Sequence, residues 1–299
     1  MQNLKFKLFI FLPLVFGFLF LPNLSDAAVL YLNPASGEYH LDEIIIAEIK
    51  IDTQGDYINT IEADLNFPSD ILEVQDLSAG NSILTLWVKD PEFINNTISF
   101  IGGVPGGYNG PDGLIGKIIF KVKTANRNNA QVVFNNGSSV LLNDGKGTKA
   151  FLSTRGGIFN ILPEKLEKAE NEWQRNLAQD KVSPQSFKVE LSQNPLIFDG
   201  KYFITFSTTD KQTGIDHYEV REGSKNWEIA DSPYVLKNQN LMGSVLVKAV
   251  DKAGNYWIES FKLSGKWTWG RATYIGAIVL ALILILVILK KVKNKQKNP

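Results

Sequence analysis

Short runs of alternating apolar and polar residues dominate the chain, and each predicts a strand buried on one face only. In the clearest, Thr60–Asn66, Ile61, Ala63 and Leu65 fall on one face, continued by Phe67, while Thr60, Glu62, Asp64 and Asn66 fall on the other. Pro68 removes a backbone donor and breaks the strand, after which Ile71, Leu72 and Val74 restart the apolar pattern. Ile45, Ala47, Ile49 and Ile51 make a second such face. Gly116, Ile118, Phe120 and Val122 make a third, with Lys117, Lys121 and Lys123 opposite. Gly, Pro, Asn and Asp clusters separate the runs, and residues 28–161 therefore predict one β-sandwich. The glycine cluster Gly102–Gly110 is expected to be a loop between strands, because no helix follows it to make an anion cradle.

The period changes over residues 162–185. Leu166, Ala169, Trp173 and Leu177 recur at helical spacing after Pro163, which predicts a helical linker whose apolar stripe docks on a neighbouring domain. From 186 to 264 strand alternation returns: Phe187, Val189 and Leu191, then Tyr202, Ile204 and Phe206, then Tyr218 and Val220, then Val245, Val247 and Ala249. This predicts a smaller seven-stranded sandwich of immunoglobulin-like or fibronectin type, with Asp251–Asn255 as the hairpin turn before its last strand.

The two ends read differently from the middle. Lys5 and Lys7 precede an apolar run that ends near Ser25 and Ala27, the pattern of a secretory signal peptide over residues 1–27 cleaved after Ala27. Residues 270–289 contain the uncharged run Ala272–Leu289, long enough as a helix to cross roughly 27 Å of hydrocarbon. Lys290, Lys291, Lys293, Lys295 and Lys297 follow it, so residues 290–299 are expected to form a cytoplasmic tail with the bulk of the chain outside.

Net charge is zero, but it is unevenly spread. Setting aside the lysines at the two ends and Asp26 leaves six more acidic than basic side chains, a balance that argues against a nucleic-acid partner. The absence of cysteine excludes disulfides, thiol nucleophiles and thiolate metal sites, and in an exported protein it fits a bacterial cell surface.

The phrase from Thr60 to Leu77, with its aromatic, its Pro–Asp turn and its Leu–Glu–apolar triplet, resembles the strand–corner–strand of bacterial cohesin domains. The resemblance extends over Leu32–Tyr39, the stretch near Ile98, Gly110–Lys123, Asn143–Gly145 and the segment from Gly156. It implies a nine-stranded jelly-roll sandwich, related to certain carbohydrate-binding modules, that binds dockerin modules. By position it implies partner contacts from the outward row Thr60, Glu62, Asp64 and Asn66. A solvated strand face with no partner carries the same pattern. The phrases at Gly214 and Val247 resemble bacterial surface repeats of immunoglobulin-like type, which act as spacers.

Little points to catalysis. His40 and His217 lie in different predicted domains, and His217 shares a strand face with Glu219 and Arg221. No nucleophile elbow, phosphate loop or paired-His zinc motif occurs. Asn143–Gly147 departs from the twelve-residue calcium loop and reads as a plain turn. No catalytic residue, metal ligand or cofactor is expected. Tyr57, Trp87 and Tyr108 fall near loops, where exposed rings would stack on sugar, although Trp87 is expected to be core. The sequence thus predicts a non-enzymatic, membrane-anchored surface protein that binds a dockerin-like module. A polysaccharide binder and a structural adhesin stalk are the alternatives.

Overall fold

The computed structural model describes residues 27–125, 129–163 and 171–264. The predicted leader before Ala27, the membrane helix, the basic tail and linker residues Leu166 and Ala169 lie outside them. Among the described residues no helix is long and apolar enough to cross a membrane. The chain separates into two units. The first takes the described residues up to Phe187 together with Ser207–His217 and Ala249–Trp257, and the second takes Lys188–Phe206, Tyr218–Lys248 and those from Ile258 on.

The first unit is a two-sheet sandwich. Its strands are β1 (Ala28–Asn33), β2 (Ser36–His40), β3 (Ile44–Asp52), β4 (Ile58–Asn66), β5 (Leu72–Ser78) and β6 (Leu86–Ile94), followed by β7 (Thr97–Tyr108), β8 (Gly113–Val122), β9 (Asn129–Phe134), β10 (Ser139–Leu142), β11 (Leu152–Arg155) and β12 (Gly157–Leu162). One sheet has the order β11-β1-β3-β8-β5, the other β2-β12-β9-β4-β7-β6, with β10 also paired to β4.

The cohesin resemblance implies nine strands and twelve are found here; division of the first and the last accounts for two of the three added. Pro34 separates β1 from β2 and Gly156 separates β11 from β12, and each pair switches sheets at its break. β1 runs parallel to β11 and β2 parallel to β12, so the two ends of the sandwich change sheets together. At Gly156 a Cβ would stand 2.1 Å from the Val132 carbonyl oxygen, which only glycine avoids.

Alternation becomes burial as expected. Ile61, Ala63 and Leu65 of β4 and Ile45, Ala47 and Ile51 of β3 are all fully buried, in one continuous core with Leu30, Phe100, Phe120 and Phe159. After Pro68, whose carbonyl accepts from the Ile71 and Leu72 amides at 2.9 Å, the chain passes from the β4 sheet to the β5 edge of the other. The glycine segment departs from its expected loop. Residues 102–108 belong to β7: Gly102 and Gly103 pair with both β4 and β6, and Tyr108 pairs with Ile58 of β4 across a register shift. Gly102 lies where a Cβ would come within 2.7 Å of Leu84 and 3.0 Å of Trp87, so its missing side chain makes room for the indole that packs edge-on against Phe100.

The linker supplies helix α1 (Glu172–Gln179), capped by the Asn171 side chain accepting from the Gln174 amide at 3.1 Å. It belongs to the first unit. Trp173 is buried, and its indole Nε1 donates to Asp76 Oδ2 at 3.1 Å. Asp76 pairs in register with Ile119, which is fully buried although it faces away from the sandwich core. An apolar residue on an outward face needs a cover, and the docked helix fits that need.

The remaining strands are β13 (Val189–Gln193), β14 (Tyr202–Phe206), β15 (Ile215–Glu222), β16 (Glu228–Ile229), β17 (Tyr234–Val235), β18 (Met242–Asp251) and β19 (Tyr256–Ser264). They make a three-stranded sheet β13-β14-β17 and a four-stranded sheet β16-β15-β18-β19. Ile204, Val220, Val245 and Val247 are fully buried, as their alternation predicts.

The inward row of β4 should therefore carry stability. Leu65→Ala is expected to destabilise the protein by about 3 kcal/mol, as for a fully buried leucine. Urea unfolding checks this, and a loss below about 1 kcal/mol would contradict the packing described.

Candidate functional site

β4 lies inside its sheet, between β7 on one side and β9 and β10 on the other. Its outward residues Thr60, Glu62, Asp64 and Asn66 are all half-buried, so the structure keeps the four predicted site residues together on one face. Opposite them on β7 stand Gly103, Ile101, Ser99 and Thr97 in that order. Ser139 and Leu141 of β10 flank Glu62 and Thr60, and Val133 of β9 flanks Asn66. On the far side of β7, Lys89 donates to Ser99 at 2.6 Å and pairs with Glu92 at 3.1 Å.

The four residues are not equally free. Asn66 Oδ1 accepts from Thr97 Oγ1 at 2.9 Å and from Asn135 Nδ2 at 3.2 Å. The Asp64 backbone is tied to the same turn, its amide to Ser138 Oγ at 3.2 Å and its carbonyl to the Asn135 amide at 2.7 Å. Glu62 takes one contact, from Ser139 Oγ at 3.3 Å, and Thr60 donates to its neighbour Asn59 at 3.0 Å. The face is thus polar and hydrogen-bonding, anchored at its Asn66 end and open at its Glu62 end.

Of the three rings weighed for sugar stacking, only Tyr57 is exposed. Trp87 and Tyr108 are partly buried against the core. No aromatic side chain is among the cross-strand neighbours of the β4 row.

The imidazoles stay apart from one another. His40 lies 3.4 Å from Glu43, and His217 lies 2.7 Å from Asp216. Asn143–Gly147 is a turn, with Asp144 accepting from the Lys146 amide and the Thr148 hydroxyl, contacts that hold its carboxyl below the usual range.

Two buried acidic features carry no periodic signal in the sequence. In the second unit, Glu222 accepts from the Tyr234 hydroxyl at 3.1 Å and from the Lys237 and Asn238 amides at 2.7 and 2.8 Å, so it is a fully used loop cap. In the first unit, Asp180, Asp210 and Asp251 converge, each 1% exposed, with one carboxylate oxygen apiece inside a 4.8 Å group. Each accepts from the backbone amide two residues on, at Val182, Gln212 and Ala253, which is a local turn pattern and hides the convergence. Burial pushes the Asp251 carboxyl up, opposed by hydrogen bonds from Asn255 and reinforced by Asp180 and Asp210.

No family model matches the chain, and no curated protein does. The solved structures similar to it are cohesin modules. The non-cellulosomal cohesin of the hyperthermophilic archaeon Archaeoglobus fulgidus is 25% identical, with a TM-score of 0.39 over 46% of this chain and 91% of that one. The cohesin in the Coh-OlpA-Doc918 complex, a type I cohesin–dockerin complex from Clostridium thermocellum, is 13% identical, with a TM-score of 0.38 over 46% and 100%. The cohesin module of a Clostridium perfringens family 33 glycoside hydrolase is 13% identical, with a TM-score of 0.38 over 46% and 97%.

The unequal anchoring of the row has a measurable consequence. Asn66→Ala is expected to destabilise the protein by about 1 kcal/mol, since two donors lose their acceptor. Glu62→Gln should stay within about 0.5 kcal/mol. Urea midpoints of the two variants check this, and equal effects would contradict it.

Proposed function

We propose that the first sandwich is a protein-recognition module of cohesin type and that it binds a dockerin-like partner through the outward face of β4. The observation that carries this reading is the row Thr60, Glu62, Asp64 and Asn66. It is half-exposed on an interior strand, with Gly103, Ser99, Thr97 and Ser139 among its cross-strand neighbours. A strand inside a sheet has no free backbone edge to offer, so recognition there must run through side chains. Glu62 and Asp64 supply charge, while Thr60 and Asn66 supply hydrogen bonds. Such a surface favours specificity and a salt-sensitive association.

The carbohydrate alternative draws on the same sandwich class, but a flat sugar-binding face needs aromatic platforms and the β4 row has none beside it. The protein reading is preferred on that ground. The second sandwich is proposed as an immunoglobulin-like spacer, and the whole as a non-enzymatic surface protein held in the membrane by residues 270–289. This last part rests on the sequence alone. Protease added to intact cells should degrade both sandwiches and spare the 290–299 tail, and protection of the sandwiches would overturn the orientation.

The binding reading is tested by capturing partners from the source cells with the full chain, alongside a glycan array. The recovered partner is then titrated calorimetrically against wild type and Glu62→Lys/Asp64→Lys. The double variant should bind at least about thirtyfold more weakly, roughly 2 kcal/mol, with little change in unfolding midpoint. Equal affinities would move the site off β4. A glycan bound in the absence of any protein partner would give the site to the carbohydrate alternative.

A further inference from the structure

We infer that Asp180, Asp210 and Asp251 form a binding site for one calcium ion in the first unit. The three side chains come from separate places. Asp180 is the C-cap of α1, Asp210 lies in the loop between β14 and β15, and Asp251 ends β18. All three are 1% exposed, and their nearest carboxylate oxygens lie within 4.8 Å of one another.

Most of their oxygens already hold the surrounding loops. Asp180 accepts from Val182, the Thr213 amide and the Thr213 hydroxyl, the last at 2.6 Å. Asp210 Oδ1 accepts from the amides of Gln212, Thr213 and Gly214, each at 2.9 Å. Asp251 Oδ1 accepts from Ala253 and Asn255, and its Oδ2 takes the Asn255 side chain at 3.0 Å.

Asp210 Oδ2 is the exception. It is buried and has no hydrogen-bond partner. A carboxylate oxygen withdrawn from water without a donor is strongly unfavourable, and two further buried carboxylates beside it make it more so. No ion pair among the described residues compensates the three. Lys252, next to Asp251 in sequence, sends its Nζ to Asp76 at 2.6 Å and stands 3.9 Å from Asp216. The cluster thus concentrates negative charge and holds one unpartnered carboxylate oxygen, and a cation satisfies both.

The donor set selects the ion. All three ligands are carboxylate oxygens, which suits hard cations, and the chain has no cysteine to attract a softer one. Calcium accepts carboxylate oxygens in flexible geometry, whereas magnesium dehydrates reluctantly and usually keeps several waters, which suits three aspartates that are each 1% exposed less well. Held there, the ion would join the end of α1 to the Asp210–Gly214 loop and the Asp251–Asn255 turn. That loop also accepts from β5, through Ser78 Oγ to the Thr213 carbonyl at 2.6 Å.

The test uses the full chain, treated with chelator and then titrated with calcium or magnesium by calorimetry and thermal unfolding. One calcium per chain should bind, raising the unfolding temperature by about 5 °C at a hundredfold excess over Kd, with a smaller response to magnesium. Chelator-treated protein that still carries one calcium per chain by elemental analysis would support the site equally. Asp210→Asn keeps Oδ1 for its three amides and replaces the free oxygen with an amide, so the variant should fold. It should bind calcium about tenfold or more weakly and unfold in chelator no earlier than wild type. Metal-free wild type that shows neither heat nor a thermal shift would overturn the inference, and so would an Asp210→Asn variant with the full calcium response. An equal response to magnesium would overturn the choice of ion.

Discussion

The first unit depends on the period of two along its strands. In β4, Ile61, Ala63 and Leu65 are fully buried while Thr60, Glu62, Asp64 and Asn66 remain half-exposed, and a slip of one residue would exchange the two rows. The same constraint acts on β3, whose Ile45, Ala47 and Ile51 meet the core, so the two sheets fix each other's register through shared burial. Recognition chemistry on the outer face is therefore inherited from packing on the inner one. The polar row faces outward because the apolar row cannot.

Where side chains declare a face, the fold was legible. The β4 row, the break at Pro68 and the turn at Asp144 were all readable from residue types. Glycine declares nothing, and so the segment from Gly102 looked like a loop although it continues β7, with Gly102 and Gly103 paired on both sides. Ile119 departs from the alternation in the opposite sense, being buried although it faces away from the sandwich core. The acidic cluster was hidden for a different reason. Each of its aspartates caps its own turn, a sufficient local explanation, and only the tertiary fold brings the three together.

The two acidic sets differ physically. Glu62 and Asp64 sit at the sandwich surface, where water and short polar neighbours stabilise their charge and a partner can compete for it. Asp180, Asp210 and Asp251 are closed off from water, where charge must be matched by something that stays. An exchangeable protein partner suits the first environment and a resident ion the second.

Carboxyl labelling of the full chain in the free and partner-bound states shows whether the β4 row is the recognition surface. Labelling of Glu62 and Asp64 should fall severalfold in the complex, while Asp112, whose side chain is 64% exposed beyond β7, should label as before. Unchanged labelling of Glu62 and Asp64, with protection appearing at carboxylates of the opposite sheet, would contradict it.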